Sequence, residues 1–185
     1  DSDWDNTRDI TVVSREDGSG TRGAFVELFG IEEEVNGEKV DMTTKEANIT
    51  NSTSVMMSTV AQDEYAIGYI SLGSLDDSVK AVKIDGSEAT AENIKNGSYK
   101  ISRPFNIATK EDLSDAAQDF EDFILSTEGQ KVVEDNKYIP LDDVSDYKSN
   151  GASGKVVVAG SSSVSPVMEK LKEAYQAVNS DVEVE

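Results

Sequence analysis

Residues 11–25 read TVVSREDGSGTRGAF. A short β-branched run at residues 10–13 precedes a glycine-rich turn, and apolar residues at helical spacing follow that turn. This order of strand, turn and helix directs free backbone N–H groups toward any group that lies over the start of the helix. Gly18 and Gly20 allow the backbone to approach a ligand closely, and Arg15 supplies a planar cationic group that suits an oxyanion. The stretch therefore predicts a site for a tetrahedral or carboxylate anion; the alternative is an ordinary strand, turn and helix with a serine cap.

The same order of elements returns near the end of the chain. Residues 155–159 (KVVVA) predict a buried strand, a run of small residues follows, and Pro166 stands in the first turn of a predicted helix. Residues 182–185 begin another strand. The two strand–turn–helix units, at 10–29 and 155–178, could together hold one anion between two helix N-termini.

The residues between these units predict short helices and strands. Helices are expected at 52–61, 90–95, 113–125 and 127–136, and strands at 66–70 and 79–84. Residues 30–47 are charged and irregular, with a turn signal at Asn36-Gly37. The helix at 113–125 has a clear amphipathic pattern. Residues 155–185 cannot bury their apolar face alone, so we expect four of their apolar residues to pack against the lobe that contains this helix, in the same chain or in a neighbour: Val156, Val158, Met168 and Leu171.

Composition excludes several classes of function. The chain has 185 residues, no histidine, no cysteine and a formal net charge of −20. Catalysis through histidine or a thiolate is therefore excluded, and the negative charge disfavours nucleic-acid binding. It does not exclude an anion as ligand, because charges farther away than about 8–10 Å are screened at physiological salt.

The acidic residues near the start resemble the first half of a calcium loop: Asp1, Asp3, Asp5 and Asp9. The pattern then fails, because Asn6 stands where glycine is needed and Val12 where the bidentate glutamate should be. We therefore expect neither a metal site nor a cofactor.

Five longer pieces carry a resemblance to a known family: SREDGSGTRGAF, NITNSTSVMMSTVAQDEYAIGYISL, ISRPFNIAT, FEDFILSTEGQKVVEDNKYIPL and VVVAGSSSVSPVMEKLKEAYQAVNSDVEVE. They resemble the phosphate-binding proteins of bacterial phosphate ABC importers, the PstS type. The resemblance implies an α/β fold of periplasmic-binding-protein-like (type II) lobes. It also implies an extracytoplasmic location, as a cell-surface lipoprotein or in the periplasm, and delivery of inorganic phosphate to a membrane permease.

The resemblance also implies the residues of the site. Arg15 resembles the arginine that pairs with phosphate, and Asp17 the acid that pairs with and orients that arginine. The other implied residues supply hydroxyl or N–H donors: Ser19, Gly20, Thr21, Ser162 and Ser163. For Ser162 and Ser163 the alternative is plain helix capping.

The segments depart from the family's order. In the family the GSSSVSP segment comes first, whereas here it comes last. In the family, a further stretch lies between the strand that matches VEVE and the loop that matches SREDGSGTR. It carries another serine donor and the aspartate that accepts the proton of hydrogen phosphate, and it is missing here. We therefore expect a circular permutant or a piece cut across a tandem pair, and the linker-like composition of residues 142–154 favours the tandem pair. Residues 1–145 would form the C-terminal part of one domain, 146–154 a linker, and 155–185 the N-terminal strand–helix–strand of the same fold. In either case the site is incomplete, and a second chain could complete the fold.

Two functions from different classes follow from these residues. The first is a solute-binding protein for inorganic phosphate, with a membrane ABC permease as partner, no nucleic acid and no catalytic residue. The alternative is a surface interaction or adhesion module, built from binding-protein pieces, without a small ligand. An enzyme such as a phosphatase is disfavoured, because the sequence has no histidine, no cysteine and no convincing metal cluster.

Overall fold

The computed structural model describes residue 5 and residues 7–185. Asp1, Asp3 and Asn6 of the calcium-like run lie outside the described residues. The described helices are α1 (Gly20–Phe29), α2 (Thr53–Gln62), α3 (Ala91–Lys95), α4 (Asp115–Ile124), α5 (Thr127–Asp135) and α6 (Ser165–Val178). The described strands are β1 (Thr11–Arg15), β2 (Glu32–Val35), β3 (Glu38–Asp41), β4 (Asn48–Thr50), β5 (Ala66–Ile67), β6 (Gly154–Val156) and β7 (Val182–Val184). The chain divides into two compact units, Asp1–Glu88 and Ala89–Glu185, and each is described separately.

The first unit contains a parallel sheet in the order β4-β1-β5. Arg15 lies opposite Thr50 of β4, and Thr11 lies opposite Ala66 of β5. Since the carboxyl ends of parallel strands share one edge of a sheet, the ends of β1 and β4 are neighbours, and α1 and α2 both begin shortly after that edge. Among the described residues of this unit, the buried apolar ones are Val13, Val26 and Met56.

An antiparallel hairpin, β2–β3, lies between α1 and β4 in the chain. Its turn has positive φ at both Asn36 (56°) and Gly37 (85°), as a two-residue type I′ turn requires. The sequence signals this turn, but the flanking strands are too rich in charge to show an alternating pattern.

The second unit packs α4, α5 and α6 around the parallel pair β6–β7. Its core contains buried residues of α4, of α6 and of the β6–β7 pair. They include Phe120, Phe123, Leu171, Tyr175, Val156 and Val182. Val158 and Met168 are partly buried against the same cluster. The predicted packing of the final segment against the lobe that contains the amphipathic helix is therefore confirmed.

The predicted helices are present, with bounds within two residues of those expected. The strand expected at 79–84 is wrong: an isolated bridge between Ile84 and Ser87 forms instead. Val82 in this stretch is exposed, so the apolar side chains of the alternating pattern do not form a buried face.

The stretch expected as a linker, 146–154, is mostly exposed but makes hydrogen bonds within the second unit, and its assignment as a linker stays a prediction. The Asn150 amide donates to Asp119 Oδ1 at 2.7 Å, the Tyr147 amide donates to Glu128 Oε2 at 2.7 Å, and Ala152 is buried. Its polar composition resembles that of a flexible linker, but its polar groups are used in these bonds. The assignment of 1–145 and 155–185 to two parts of the family's domain stays a prediction.

Candidate functional site

The Arg15 side chain lies at the carboxyl end of β1 and is 3% exposed. Its Nε and Nη2 donate to the two carboxylate oxygens of Glu16, at 2.8 and 2.9 Å. Its Nη1 donates to Thr53 Oγ1 at 3.4 Å, at the first position of α2. The structure therefore places a buried guanidinium at the beginning of α2, paired with the acid that follows it in sequence.

The backbone of Arg15 is fixed from both sides. Its amide donates to the Tyr69 hydroxyl at 3.1 Å, and that hydroxyl is 2.8 Å from Ser14 Oγ. The Phe25 ring stacks on the Tyr69 ring with centroids 4.1 Å apart. The Arg15 carbonyl accepts from Arg22 Nη1 at 2.9 Å. These contacts hold the end of β1 independently of the guanidinium.

The turn after β1 forms the start of α1. Gly18 has φ +82°, which an L side chain rarely adopts. Ser19 is the N-cap, and its Oγ accepts from the Arg22 amide at 3.3 Å. The amide of Gly20 precedes that capped amide at the start of the helix, where backbone N–H groups point away from the helix. A Cβ on Gly20 would meet no atom of the described residues within 4 Å, so packing does not explain this glycine.

The predicted ion pair between Asp17 and Arg15 is wrong. Asp17 Oδ1 accepts from Arg22 Nη1 at 2.8 Å, whereas Arg15 pairs with Glu16. The Asp17 side chain is 97% exposed and lies at the outside of the turn. Its neighbour in sequence occupies the position expected for it.

Electrostatic interactions keep two carboxyl groups of this region charged. The hydrogen bond from Arg15 holds the pKa of Glu16 below its ordinary value. Burial raises the pKa of Asp41, but hydrogen bonds from Thr43 and from Arg22 outweigh it, so the pKa of Asp41 is lowered. Both arginines of the turn therefore have an ionised acid as partner at neutral pH.

In the second unit, Ser162 and Ser163 precede α6. Ser163 is buried; its amide donates to Ser161 Oγ at 3.3 Å, and its carbonyl accepts from the Tyr138 hydroxyl at 2.7 Å. The N-cap residue of α6 is Val164, and in the described part of the chain this N-cap makes no side-chain hydrogen bond to the helix. The structure thus places both serines at a helix start, as the sequence predicts.

Sequence reasoning missed four residues of the first unit's site: Glu16, Arg22, Thr53 and Tyr69. The motif contains Glu16 and Arg22, but the letters do not show which acid pairs with which arginine. Thr53 and Tyr69 reach Arg15 through the parallel pairing of β1 with β4 and β5, which is not local in sequence.

Across residue 5 and residues 7–185, no group of three or more acidic, histidine or cysteine side chains is placed to hold a metal ion. None of the helices in the described part of the chain has the length and apolar character that crossing a bilayer requires.

Comparisons with known proteins agree on one family. A family model described as a PBP superfamily domain matches residues 2–128. Phosphate-binding protein PstS 2 of Streptococcus agalactiae is 64% identical over 178 residues, covering 95% of this chain and 61% of that protein. Phosphate-binding protein PstS 2 of Streptococcus pneumoniae is 50% identical over 177 residues, with the same two shares.

Solved structures give the same result. The crystal structure of a phosphate-binding protein of a phosphate ABC transporter from Streptococcus pneumoniae matches with a TM-score of 0.75 and 50% identity, over 95% of this chain and 69% of that one. A phosphate ABC transporter substrate-binding protein from Clostridium perfringens, solved with bound phosphate, matches with a TM-score of 0.64 and 47% identity, over 72% and 52%.

The fold class is thus the α/β fold of the PBP superfamily. The chain belongs to the PstS-type phosphate-binding proteins of that superfamily. It spans 61% of the length of the curated Streptococcus relatives that it matches.

Proposed function

We propose that this chain is the phosphate-binding part of a solute-binding protein, and that the turn between β1 and α1 binds inorganic phosphate. The observation that carries the proposal is the buried Arg15 guanidinium, which lies at the end of β1, just before the turn, and reaches Thr53 at the start of α2. A buried arginine offers a planar set of donors, and a helix start adds amides with a favourable dipole. The names of the relatives support phosphate as the anion.

The donors suit a tetrahedral anion. In this proposal Arg15 supplies a charged group, Ser19 and Thr21 supply hydroxyls, and Gly20 supplies an amide without a side chain in the way. Each charge-assisted hydrogen bond contributes about 1.5–3 kcal/mol net. No group of this set is a nucleophile activated by a base, so the proposed activity is binding without chemistry, and no hydrolysis of p-nitrophenyl phosphate is expected.

Glu16 must share its arginine when the anion binds. Its side chain is 37% exposed and lies next to Arg15 in sequence, so a rotation toward solvent releases Nε and Nη2 without moving the backbone. Phosphate then replaces one carboxylate by a more highly charged group. Asp17 remains with Arg22 in this arrangement.

Ser162 and Ser163 belong to the proposal through the family resemblance. Their place at the start of α6, which has no side-chain cap at Val164, supports a role as donors. The Streptococcus matches cover 95% of this chain, so residues near 15 and near 162 both lie inside each match. This supports a segment order shared with those relatives, that is, a permutant, over a cut between tandem domains.

The remaining partners are proposed for the whole protein. We infer delivery of phosphate to a membrane ABC permease from an extracytoplasmic position, with no nucleic acid involved. We also propose that a further polypeptide, from the same protein or a second chain, completes the fold. The two-stranded parallel sheet β6–β7 and the 73% exposure of Val157 beside it support this, because parallel sheets are normally larger and covered on both faces.

Isothermal titration calorimetry with inorganic phosphate tests the proposal. We expect saturable binding, at least tenfold weaker binding after Arg15→Ala, and partial recovery with Arg15→Lys, because an ammonium cannot donate in the plane of a guanidinium. Arg8→Ala removes a charge from the same unit, where Arg8 lies over the Tyr65 ring, and should leave the affinity within twofold. Equal affinity for wild type and Arg15→Ala, or no heat with wild type, would contradict the proposal.

A further inference from the structure

Arg22 stands at an unexpected position for a cation. It is the third residue of α1, where its amide donates to the Ser19 cap. A positive side chain in the first turn interacts unfavourably with the helix dipole. Glutamate or glutamine is the residue usually favoured at this position. Its side chain is only 17% exposed, so it is not a solvated surface arginine.

The Arg22 guanidinium bonds to three separate segments. Nη1 donates to the Arg15 carbonyl at 2.9 Å, at the end of β1, and to Asp17 Oδ1 at 2.8 Å, in the turn. Nε donates to Asp41 Oδ2 at 2.8 Å, at the end of β3. One side chain thus connects the strand before the turn, the turn itself and the hairpin after the helix.

We propose that Arg22 is a positioning residue for anion binding: its guanidinium holds the 16–19 turn in the shape that presents the donors at the start of α1. The inference rests on the proposed function for the identity of the anion. Without Arg22, the exposed Asp17 and the Gly18 conformation are held by the backbone bond from the Ser19 amide to the Glu16 carbonyl, at 3.2 Å.

Arg22 acts through the turn rather than as a ligand. Its charge is matched by two carboxylates, those of Asp17 and Asp41, so the three groups together are negative and repel an anion. The role needs donors in several directions from one plane, which a lysine ammonium on a flexible stem does not supply. If Arg22 acted only through its positive charge, Arg22→Lys would keep the effect. The proposal predicts that Arg22→Lys loses it.

Two measurements on the 185-residue chain test the inference. Amide hydrogen exchange without ligand reads the turn directly: in Arg22→Lys, the amide of Ser19 should exchange at least tenfold faster, while amides in the middle of α2 stay unchanged. Calorimetry with inorganic phosphate should show about tenfold weaker binding. Arg8→Lys is the matched control, the same substitution in the same unit, and should change neither quantity by more than twofold.

Asp17→Asn provides a second variant that leaves the fold intact, because the Asp17 side chain is 97% exposed. It removes the charge of one acceptor, which weakens one of the three bonds, and should accelerate the same exchange by a smaller factor, about threefold. Unchanged exchange in both variants overturns the inference whatever phosphate does. Faster exchange with unchanged phosphate affinity overturns the role in binding. If wild type binds no phosphate, the proposed function and the binding role fall together, while exchange still decides whether Arg22 holds the turn.

Discussion

Burial of the Arg15 side chain removes a permanent charge from bulk water, which is unfavourable unless an opposite charge and hydrogen bonds compensate. Glu16 provides both, through two parallel bonds of 2.8 and 2.9 Å. Arginine rather than lysine suits this position because its planar group keeps further donors available when two are engaged. Nη1, directed at Thr53 Oγ1, shows that the group reaches beyond its ion pair.

At Gly20, a substitution should affect binding of the proposed ligand without affecting the stability of the fold. In Gly20→Ala, the added Cβ meets no atom of the described residues within 4 Å, so we expect the melting temperature to stay the same or rise slightly, since alanine favours helices. Phosphate binding should weaken at least tenfold, because the methyl group occupies the space through which an anion approaches the amide.

Calorimetry and thermal unfolding of the same sample measure both effects. Gly23→Ala, one turn further along α1 and equally open, is the control and should leave the affinity unchanged. Undiminished binding by Gly20→Ala would argue against an anion at this amide.

Elements of the second unit are joined by one buried carboxylate. Asp119 of α4 accepts from the Asn150 amide at 2.7 Å, from the hydroxyls of Tyr147 and Tyr175 at 2.7 and 2.8 Å, and from Asn179 Nδ2 at 2.9 Å. It thereby connects α4, the loop before β6 and the end of α6. Because Oδ1 has one of these donors and Oδ2 the other three, the buried charge is stabilising only while the network is complete.

These contacts give stability a defined pH dependence. Burial raises the pKa of Asp119, but the bonds from Asn150, Asn179 and the two tyrosines outweigh it, so its pKa lies below the ordinary 3.8. Its contribution is therefore present above about pH 4 and is lost as the pH falls through the folded-state pKa. Burial and the Asp119 bond raise the pKa of Tyr175 above the ordinary 10.0, so that contribution is present below pH 10 and is lost at higher pH.

Asp119→Asn should lower the free energy of unfolding at pH 7 by about 2–4 kcal/mol, because the amide cannot accept all the bonds. The difference from wild type should shrink as the pH falls below about 4, as measured by urea unfolding at several pH values. Asp122→Asn, which changes an exposed acceptor of Gln118, should cost less than about 0.5 kcal/mol. A difference that does not depend on pH would contradict the assignment of the charge.

At the scale of elements, local signals predict the helices well. Ser52 and Ser114 stand before α2 and α4 and accept the bonds expected of caps, so the predicted starts lie within two residues of those observed. Strand β4 has three residues and depends on pairing with β1, a contact between distant parts of the chain that no local pattern shows.

The site follows the same division. Arg15, Ser19, Gly20 and Thr21 lie in one motif, and local chemistry places them together. The partners of the two arginines depend on how the turn folds, so the sequence predicted the wrong acid for Arg15.

At the scale of the whole molecule, the net charge of −20 opposes the approach of an anion. Screening limits this effect to about 8–10 Å at physiological salt, so it slows capture at low salt and changes the bound state little. In the proposed site, the donors that touch the anion supply the compensating field.

We expect the 185-residue chain to discriminate poorly between phosphate and sulfate. Recognition of hydrogen phosphate needs a carboxylate that accepts its proton, whereas the proposed donors serve either anion. Asp17 stays engaged with Arg22, and Glu16 turns toward solvent when it releases Arg15, so neither carboxylate faces the anion in the proposed site. Competition calorimetry at pH 7 should give affinities within about tenfold, or about 1.4 kcal/mol. A preference for phosphate above a hundredfold would mean that a carboxylate, from Asp17 or from another polypeptide, accepts the proton.

The central claim is that the turn between β1 and α1 binds phosphate, and residue-resolved NMR tests it most directly. Titration of the ¹⁵N-labelled chain with inorganic phosphate at pH 7 should produce saturable shifts that are largest at Ser19, Gly20, Thr21 and the Arg15 side-chain Nε–H. Arg15→Ala should abolish them. The absence of saturable shifts in this turn, or shifts confined to other parts of the chain, would contradict the account.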